Sequence, residues 1–474
     1  MIKDLVLTGI EALDEMIGGG FQKGGLILLA GNPGTGKTTF ATQFICKGVE
    51  AGEVGVYVSF AEDKDTLIRN MEKFLGRDCE KYVKSGRCKI LDMITVKKEG
   101  LPAILDLILA ETVGAKRLVI DSFSAMAQAF KDPIEVRIIL HTILSRIVRQ
   151  SGCTTLLICE VPIGEERVGL GMEEFVADGV ILLKASELDG RPFRDLEIRK
   201  LRGSPLPEKK MVFTLSGGFK VFQPFKFKPV EKPAKFKPID DPPGKFSTGI
   251  PDLDRLLDGG YPRSATVLFE IDEQITTPQY HLIVSPTVWN FGAKGRGTIV
   301  IPSMGMDYKV ALEEAKKGGF TEDVIDNLLR VPSFEFMEAP ERPSIIRVKG
   351  ENLREDSQKI FDEAYKLIRK TGKPTLSILG VDRVASYYRE EEVLKAINIG
   401  VTITRINKSL LMLLLKPSYP KLGKILRALA DIHLKLTREH GVLILYGIKP
   451  RTCLYVVEMD VSQGYPLAKL TPIT

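Results

Sequence analysis

Leu26-Ile-Leu-Leu-Ala-Gly-Asn-Pro-Gly-Thr-Gly-Lys-Thr38 is the stretch on which the fold turns. Its first five residues form a continuous apolar run, too short for a helix and suited to a strand covered on both faces. After the bend, Phe40, Phe44, Ile45 and Val49 recur at helical spacing, so Thr38–Val49 reads as an amphipathic helix. The bend itself fits GxxxxGK[ST], a pattern that means little alone and much between a buried strand and a helix. Its glycines let successive backbone N–H groups curl around a phosphate, and the helix start adds the positive end of its dipole. Gly31, Asn32, Pro33, Gly34, Thr35, Gly36, Lys37, Thr38 and Thr39 are therefore the candidate phosphate-binding residues. The ligand expected is ATP with Mg²⁺, with Lys37 reaching the β- and γ-phosphates and the Thr38 hydroxyl on the metal.

Outward from this bend, strand and helix patterns alternate. Val54–Phe60, Arg117–Ile120, Thr154–Cys159 and Val180–Leu183 read as strands, and Asp65–Leu75, Leu101–Thr112 and Pro133–Arg149 as helices. Such alternation predicts an α/β layer with a mostly parallel sheet and helices on both faces. Asp195–Lys200 and Met211–Leu215 alternate in polarity and predict an antiparallel hairpin at the sheet edge. From about 221 to 245 the composition turns to proline, lysine and phenylalanine, which predicts an extended linker, its phenylalanines pinning it to a domain surface.

Beyond the linker the opening of the chain returns. Thr8-Gly-Ile-Glu-Ala-Leu-Asp-Glu-Met-Ile-Gly-Gly-Gly-Phe21 and Thr248-Gly-Ile-Pro-Asp-Leu-Asp-Arg-Leu-Leu-Asp-Gly-Gly-Tyr261 agree at seven of fourteen positions without a gap. This is an internal duplication, giving three expected segments: 1–220, 221–245 and 246–474. Composition sets bounds on function. The 474 residues carry a net charge of only +6, too mild to require nucleic acid. The six cysteines show no metal-type spacing and read as reduced core thiols. The longest apolar run, Leu410–Leu415, is far short of a membrane span, so a cytoplasmic location is expected.

The chemistry of phosphate transfer asks for more than the loop. The strand Arg117–Ile120 runs into Asp121, the expected carboxylate of the Mg²⁺ shell. Glu62 follows Val56-Tyr-Val-Ser-Phe-Ala61 and is the candidate general base. Glu160, at the end of Thr154–Cys159, is the candidate γ-phosphate sensor.

These elements together, with Glu174-Phe-Val-Ala-Asp-Gly-Val180 and Lys200-Leu-Arg-Gly203, resemble the KaiC branch of the RecA superfamily, which includes RadA-type recombinases and the gas-vesicle regulator GvpD. The likeness covers Leu5–Gln223 well and Phe246 onward faintly. It implies two tandem RecA-like domains, each a mostly parallel sheet with helices on both faces and an antiparallel edge hairpin. It also implies a ring-shaped homo-oligomer, in which Lys200 and Arg202 would reach the nucleotide of a neighbouring subunit. Two departures stand out. Ala61 replaces the first of a usual glutamate pair, so turnover is expected to be slow, and Glu173-Glu174 occupy the place of a self-phosphorylated Ser-Thr pair, so no self-kinase activity is expected there.

In the second copy, Glu270-Ile-Asp-Glu-Gln-Ile-Thr-Thr277 stands where the loop should be, with Thr276 read as the lysine position and Gly380 as the aspartate position. Two extra carboxylates, Asp272 and Glu273, would repel phosphate, so this half is expected not to bind ATP and instead to pair with a neighbour or a protein partner. The leading functional expectation is a slow ATPase acting as a nucleotide-dependent switch, with GvpD-like regulation as one form of it. A RadA-like DNA-binding ATPase and a non-hydrolysing ATP-binding scaffold are the alternatives. Against DNA, the segment 162–178 holds Glu165, Glu166, Glu173 and Glu174 against the single Arg167, the wrong sign for phosphate contacts.

Overall fold

The computed structural model describes residues 4–75, 79–94, 101–127, 151–162, 176–204, 206–334 and 339–474. The helix expected over 133–149 and the acidic segment 163–175 lie outside the described residues. The chain divides into two compact units, 1–224 with 472–474, and 225–471.

In the first unit, β1 (Leu5–Val6) and β2 (Phe21–Gln22) form an antiparallel ribbon ahead of the main sheet. That sheet comprises β3 (Leu26–Gly31), β4 (Gly55–Ser59), β5 (Cys88–Asp92), β6 (Arg117–Asp121), β7 (Thr154–Glu160), β8 (Gly179–Leu188), β9 (Arg191–Leu201), β10 (Lys210–Thr214) and β11 (Lys220–Val221). Their spatial order is β11-β10-β9-β8-β3-β7-β6-β4-β5. From β8 to β5 every pairing is parallel, and from β8 to β11 every pairing is antiparallel. All six residues of β3 are buried, which is why its sequence is apolar throughout and does not alternate. Phe40, Phe44, Ile45 and Val49 of the helix Lys37–Glu50 pack into one core with Ile27 and Leu29, and Leu28 and Ala30 enter a second core on the opposite face. The sequence reading missed β5 and underestimated β8 and β9. Leu26–Gly31 therefore lies mid-sheet, with its C-terminal end opening where strand order reverses, the usual place for a ligand in such sheets.

The second unit repeats the plan. A ribbon of β12 (Lys245–Phe246) and β13 (Tyr261–Pro262) precedes β14 (Thr266–Ile271), β15 (Thr298–Ile301), β16 (Leu329–Phe334), β17 (Ile345–Val348), β18 (Leu376–Gly380), β19 (Leu410–Leu415), β20 (Ile432–Glu439), β21 (Val442–Lys449), β22 (Tyr455–Asp460) and β23 (Leu467–Pro472). The order β17-β16-β15-β18-β19-β14-β20-β21-β22-β23 matches the first sheet strand for strand from β16 to β23, with β17 added at one edge.

Two contacts fix the offset between copies at 240 residues. Thr8 N donates to Asp14 Oδ1 at 2.7 Å and Thr248 N to Asp254 Oδ1 at 2.6 Å. Likewise Leu26 N donates to Asp178 Oδ2 at 3.0 Å and Thr266 N to Asp431 Oδ2 at 2.8 Å. The prolines and lysines of 225–244 form neither helix nor strand, and Phe236 is buried between Trp289 and Tyr465 of the same unit, ring centroids 5.8 and 5.2 Å away. All six cysteines are free thiols, five of them buried.

Candidate functional site

The loop leaves β3 at Gly31 and enters the helix at Lys37. Gly36 sits at the helix start with φ of 93°, and Gly34 has φ of 77°, a backbone region that L side chains rarely adopt. A Cβ on Gly36 would lie 2.6 Å from Leu215 Cδ2, whereas one on Gly34 would meet nothing within 4 Å. The bend is thus closed on its protein side and open on the other. No side chain caps this helix start. Its first amide hydrogens are therefore available to an anion, which is what a phosphate cradle requires.

Lys37 is buried, and its Nζ donates to Gly31 O and Asn32 O, each at 2.9 Å, which places the ammonium inside the bend. Burial pulls its pKa down, while the charges of Glu160 and Asp121 oppose the shift. Asn32 anchors the loop from the other side, its Nδ2 donating to Val161 O at 2.9 Å and Pro162 O at 3.0 Å. Thr35 Oγ1 donates to Asn32 O at 2.8 Å, inside the bend. Pro33 and Thr39 belong to the same turn and first helical turn.

Thr38 Oγ1 donates to Asp121 Oδ2 at 3.1 Å, so the hydroxyl and carboxylate expected to serve a metal meet across the strand-end gap. Tyr57, from β4, donates its hydroxyl to the same oxygen at 2.6 Å. Sequence reading did not find Tyr57; its inward direction follows from the β4–β6 register, which pairs Tyr57 with Val119 and Ser59 with Asp121. Burial raises the Asp121 pKa and nearby Glu62 adds to that, against lowering by Tyr57, Thr38 and Lys37. A hydroxyl and a half-buried carboxylate are oxygen donors of the kind that Mg²⁺ takes, so these residues fit that ion.

Glu62 lies close enough to Asp121 to influence its charge, and Asn70 Nδ2 donates to Glu62 Oε2 at 3.0 Å. The Glu160 side chain is exposed at the end of β7, its backbone N held by Ser124 Oγ at 2.8 Å. Lys200 lies on β9 opposite Val180. Arg202 pairs with Asp178 at 3.1 Å and is 58% exposed. The same strand brings a different cation to the loop: Arg194 Nη1 donates to Gly34 O at 3.1 Å. Nothing in the sequence marked Arg194, because only the sheet register puts it over the bend.

The second unit closes the equivalent place. With the 240-residue offset, Gly31 corresponds to Ile271, Lys37 to Thr277 and Thr38 to Pro278. This corrects the sequence alignment, which put Thr276 at the lysine position. Thr276 instead caps the helix Thr277–Ala293 in a reciprocal box with Gln279, so side chains satisfy the amides that the first unit leaves open. Glu270 accepts from Arg427 Nε and Nη2, each at 3.0 Å, and lies 3.0 Å from His433 Nε2. Thr437 Oγ1 donates to Asp272 Oδ2 at 2.8 Å. Gly380 stands where Asp121 would be, and a Cβ there would lie 2.5 Å from Ser303 N, so no carboxylate fits. Asp382, two residues on, is buried and accepts from Met304 N at 3.1 Å, with Lys416 at 3.5 Å. These atoms have partners within the protein.

Comparisons with known proteins follow the division between the units. A family model of the KaiC ATPase matches residues 6–224, and a model of GvpD basic region 2 matches 235–315. A UPF0273 protein of Thermotoga maritima is 34% identical over 228 residues, 44% of this chain and 92% of its own length. A UPF0273 protein of Pyrococcus furiosus is 32% identical, over 44% of this chain and 90% of its own. The circadian clock oscillator protein KaiC of Synechococcus elongatus is 32% identical over 279 residues, 55% of this chain and 51% of that protein. A solved KaiC-like protein of Pyrococcus horikoshii is 39% identical, covers 47% of this chain and 100% of its own, and gives a TM-score of 0.43. The segment matching the basic region holds eight lysines and arginines against eleven aspartates and glutamates. Several of those cations are already engaged: Lys294 and Arg296 each lie 2.5 Å from the Asp241 carboxylate, and Lys245 lies 3.2 Å from that of Asp258.

Proposed function

The chain belongs to the KaiC-like branch of the RecA-fold ATPases, to which GvpD is related, and from that premise we propose that it is a slow ATPase acting as a nucleotide-dependent switch. The observation that carries this reading is the uncapped helix start at Gly36, with Lys37 inside the bend and Thr38 already beside Asp121. In it, Gly31–Thr39 take the phosphates of ATP, Thr38 and Asp121 hold Mg²⁺, and Glu160 senses the γ-phosphate. Bound Mg²⁺ would supply charge neutralisation at the β- and γ-phosphates. Glu62 orients the attacking water and accepts its proton, with Asn70 fixing one of its oxygens. Ala61 stands where the family's usual glutamate pair has its first member, which supports slow turnover. Lys200 and Arg202 act on the nucleotide of an adjacent copy in a homo-oligomeric ring, Arg202 exchanging its Asp178 partner for phosphate. The second unit carries the response to a protein partner.

Phosphate release tests this. Lys37→Ala should lose nucleotide binding, while Glu62→Gln should keep it and lose turnover by roughly 100-fold or more. Release at an unchanged rate in Glu62→Gln would remove the base assignment. Light scattering with and without Mg-ATP tests the ring, and an unchanged monomer would remove the role of Lys200 and Arg202. A nucleic-acid role finds less support, because acids outnumber cations in the segment matching the basic region and four of its eight cations are held in ion pairs. Retention on single-stranded DNA that weakens steeply with salt would revive it.

A further inference from the structure

The second unit contains an apolar cavity of about 110 Å³ on the sheet face opposite the helix Thr277–Ala293. Its floor is the odd-numbered side of β18, Ser377 and Leu379, with Ile299 and Ile301 of β15 and Leu411 of β19. Its roof is the helix pair Leu353–Thr371 and Glu390–Ile406. An empty apolar cavity weakens a fold in proportion to its volume, because the lining atoms lose their contacts.

The residues that leave this space are small ones at positions where larger ones would close it. Ala364 faces the cavity from one helix, and Ala396 and Gly400 face it from the other. Gly400 is in a helix interior, where glycine is unfavourable. Close packing does not require it: a Cβ there would make only ordinary contacts, 3.9 Å to Phe361 Cε1 and 4.0 Å to Leu411 Cδ2. Gly297 in the same unit is different, since its Cβ would lie 2.8 Å from Leu367 Cβ.

The polar groups at the cavity define the ligand class. Asp356 is the one carboxylate among the lining residues, and Lys349 N at 3.0 Å, Gly350 N at 2.8 Å and the Tyr388 hydroxyl at 2.8 Å already satisfy it. Thr375 and Ser409 hydrogen-bond to each other, Oγ1 to Oγ at 3.2 Å. The Ser377 hydroxyl faces the cavity with no hydrogen-bond partner among the described residues. An anionic ligand would thus find no cation, and a cationic one only a carboxylate whose oxygens are already taken. An uncharged one would find hydroxyls without a partner among the described residues, Ser377 on the floor and Thr404 on the roof. A dry apolar cavity of about 150 Å³ takes a benzene-sized guest, and this one is of comparable size.

We propose that this cavity is a binding site for a small, uncharged, mainly apolar molecule the size of one ring or a short branched chain, held at one end by the Ser377 hydroxyl. The site is separate in kind and position from the phosphate loop and does not rest on the ATPase reading. Titration of the full chain with p-cresol and p-xylene, followed by calorimetry and melting temperature, tests it. Saturable one-to-one binding of both is expected, with p-cresol several-fold tighter and a melting rise of a few degrees. Gly400→Leu and Ala364→Leu should each abolish binding and melt above the unsubstituted protein, Ser377→Ala should bring the two probes to equal affinity, and Lys37→Ala should bind both as before. Absence of saturable binding to the folded, unsubstituted chain would overturn the site, as would undiminished binding in both filled variants. Equal affinity of the two probes before substitution would overturn the role given to Ser377.

Discussion

Asp121 Oδ2 receives two hydroxyls, Thr38 at 3.1 Å and Tyr57 at 2.6 Å, and both favour its ionised form. Burial and Glu62 act the other way and win, so its pKa lies above the ordinary aspartate value. Metal binding needs the carboxylate. Mg-dependent nucleotide affinity should therefore fall on acidification, beginning at a higher pH than an ordinary aspartate would give. Tyr57→Phe removes a group that lowers this pKa and should shift the acid limb of an affinity–pH profile further upward; an unshifted limb would show that Tyr57 does not tune Asp121. Asp121→Asn should erase that limb and the Mg²⁺ dependence together. Of these residues, Lys37, Thr38 and Asp121 were legible in the sequence because their spacing reflects chain-local geometry, a bend and a strand end. Tyr57, Asn70 and Arg194 were not, since a strand's register and a helix's rotation decide where their side chains go.

At the scale of elements, the two helices that follow β3 and β14 have the same place in the sheet and opposite ends. One begins at an uncapped glycine, the other at a threonine–glutamine capping box. Thr276→Ala should destabilise the second unit by about 1 kcal/mol in denaturant unfolding and leave nucleotide affinity untouched. Next to that cap, burial pushes the Glu270 carboxyl up, but His433 and Arg427 more than offset it and bring the pKa to about 2. A depressed acid contributes stability above its unfolded pKa and loses it as pH falls through the folded one. Glu270→Gln should thus cost the second unit about 2 kcal/mol at neutral pH, with the gap to the parent closing as pH falls from the ordinary glutamate range toward about 2. A gap independent of pH would show that charge is not what holds Glu270. The loss of the second loop was readable as missing glycines, but its register was not. One residue of slip put Thr276 at the lysine position, because the apolar residues around Ala265–Phe269 align almost as well either way, while the Thr266–Asp431 hydrogen bond admits only one offset.

Across the whole molecule, one architecture is used twice, and the open glycine-rich loop occurs in the first copy while a capped helix start takes its place in the second. The duplication was legible because Thr8-Gly-Ile and Thr248-Gly-Ile open a turn closed by Asp14 and Asp254, contacts made within a few residues. The cavity under the helices of the second unit was not, because small residues such as Ala364 and Gly400 look unremarkable until two helices and a sheet surround them. The proposed function therefore depends on an asymmetry: nucleotide is expected at the open helix start at Gly36 and not at the capped one at Thr276. Calorimetric titration of the full chain with ATP and Mg²⁺ measures this directly. One site per chain, abolished by Lys37→Ala, is the predicted result. Two sites per chain, or a site that persists in Lys37→Ala with the first unit folded, would contradict it.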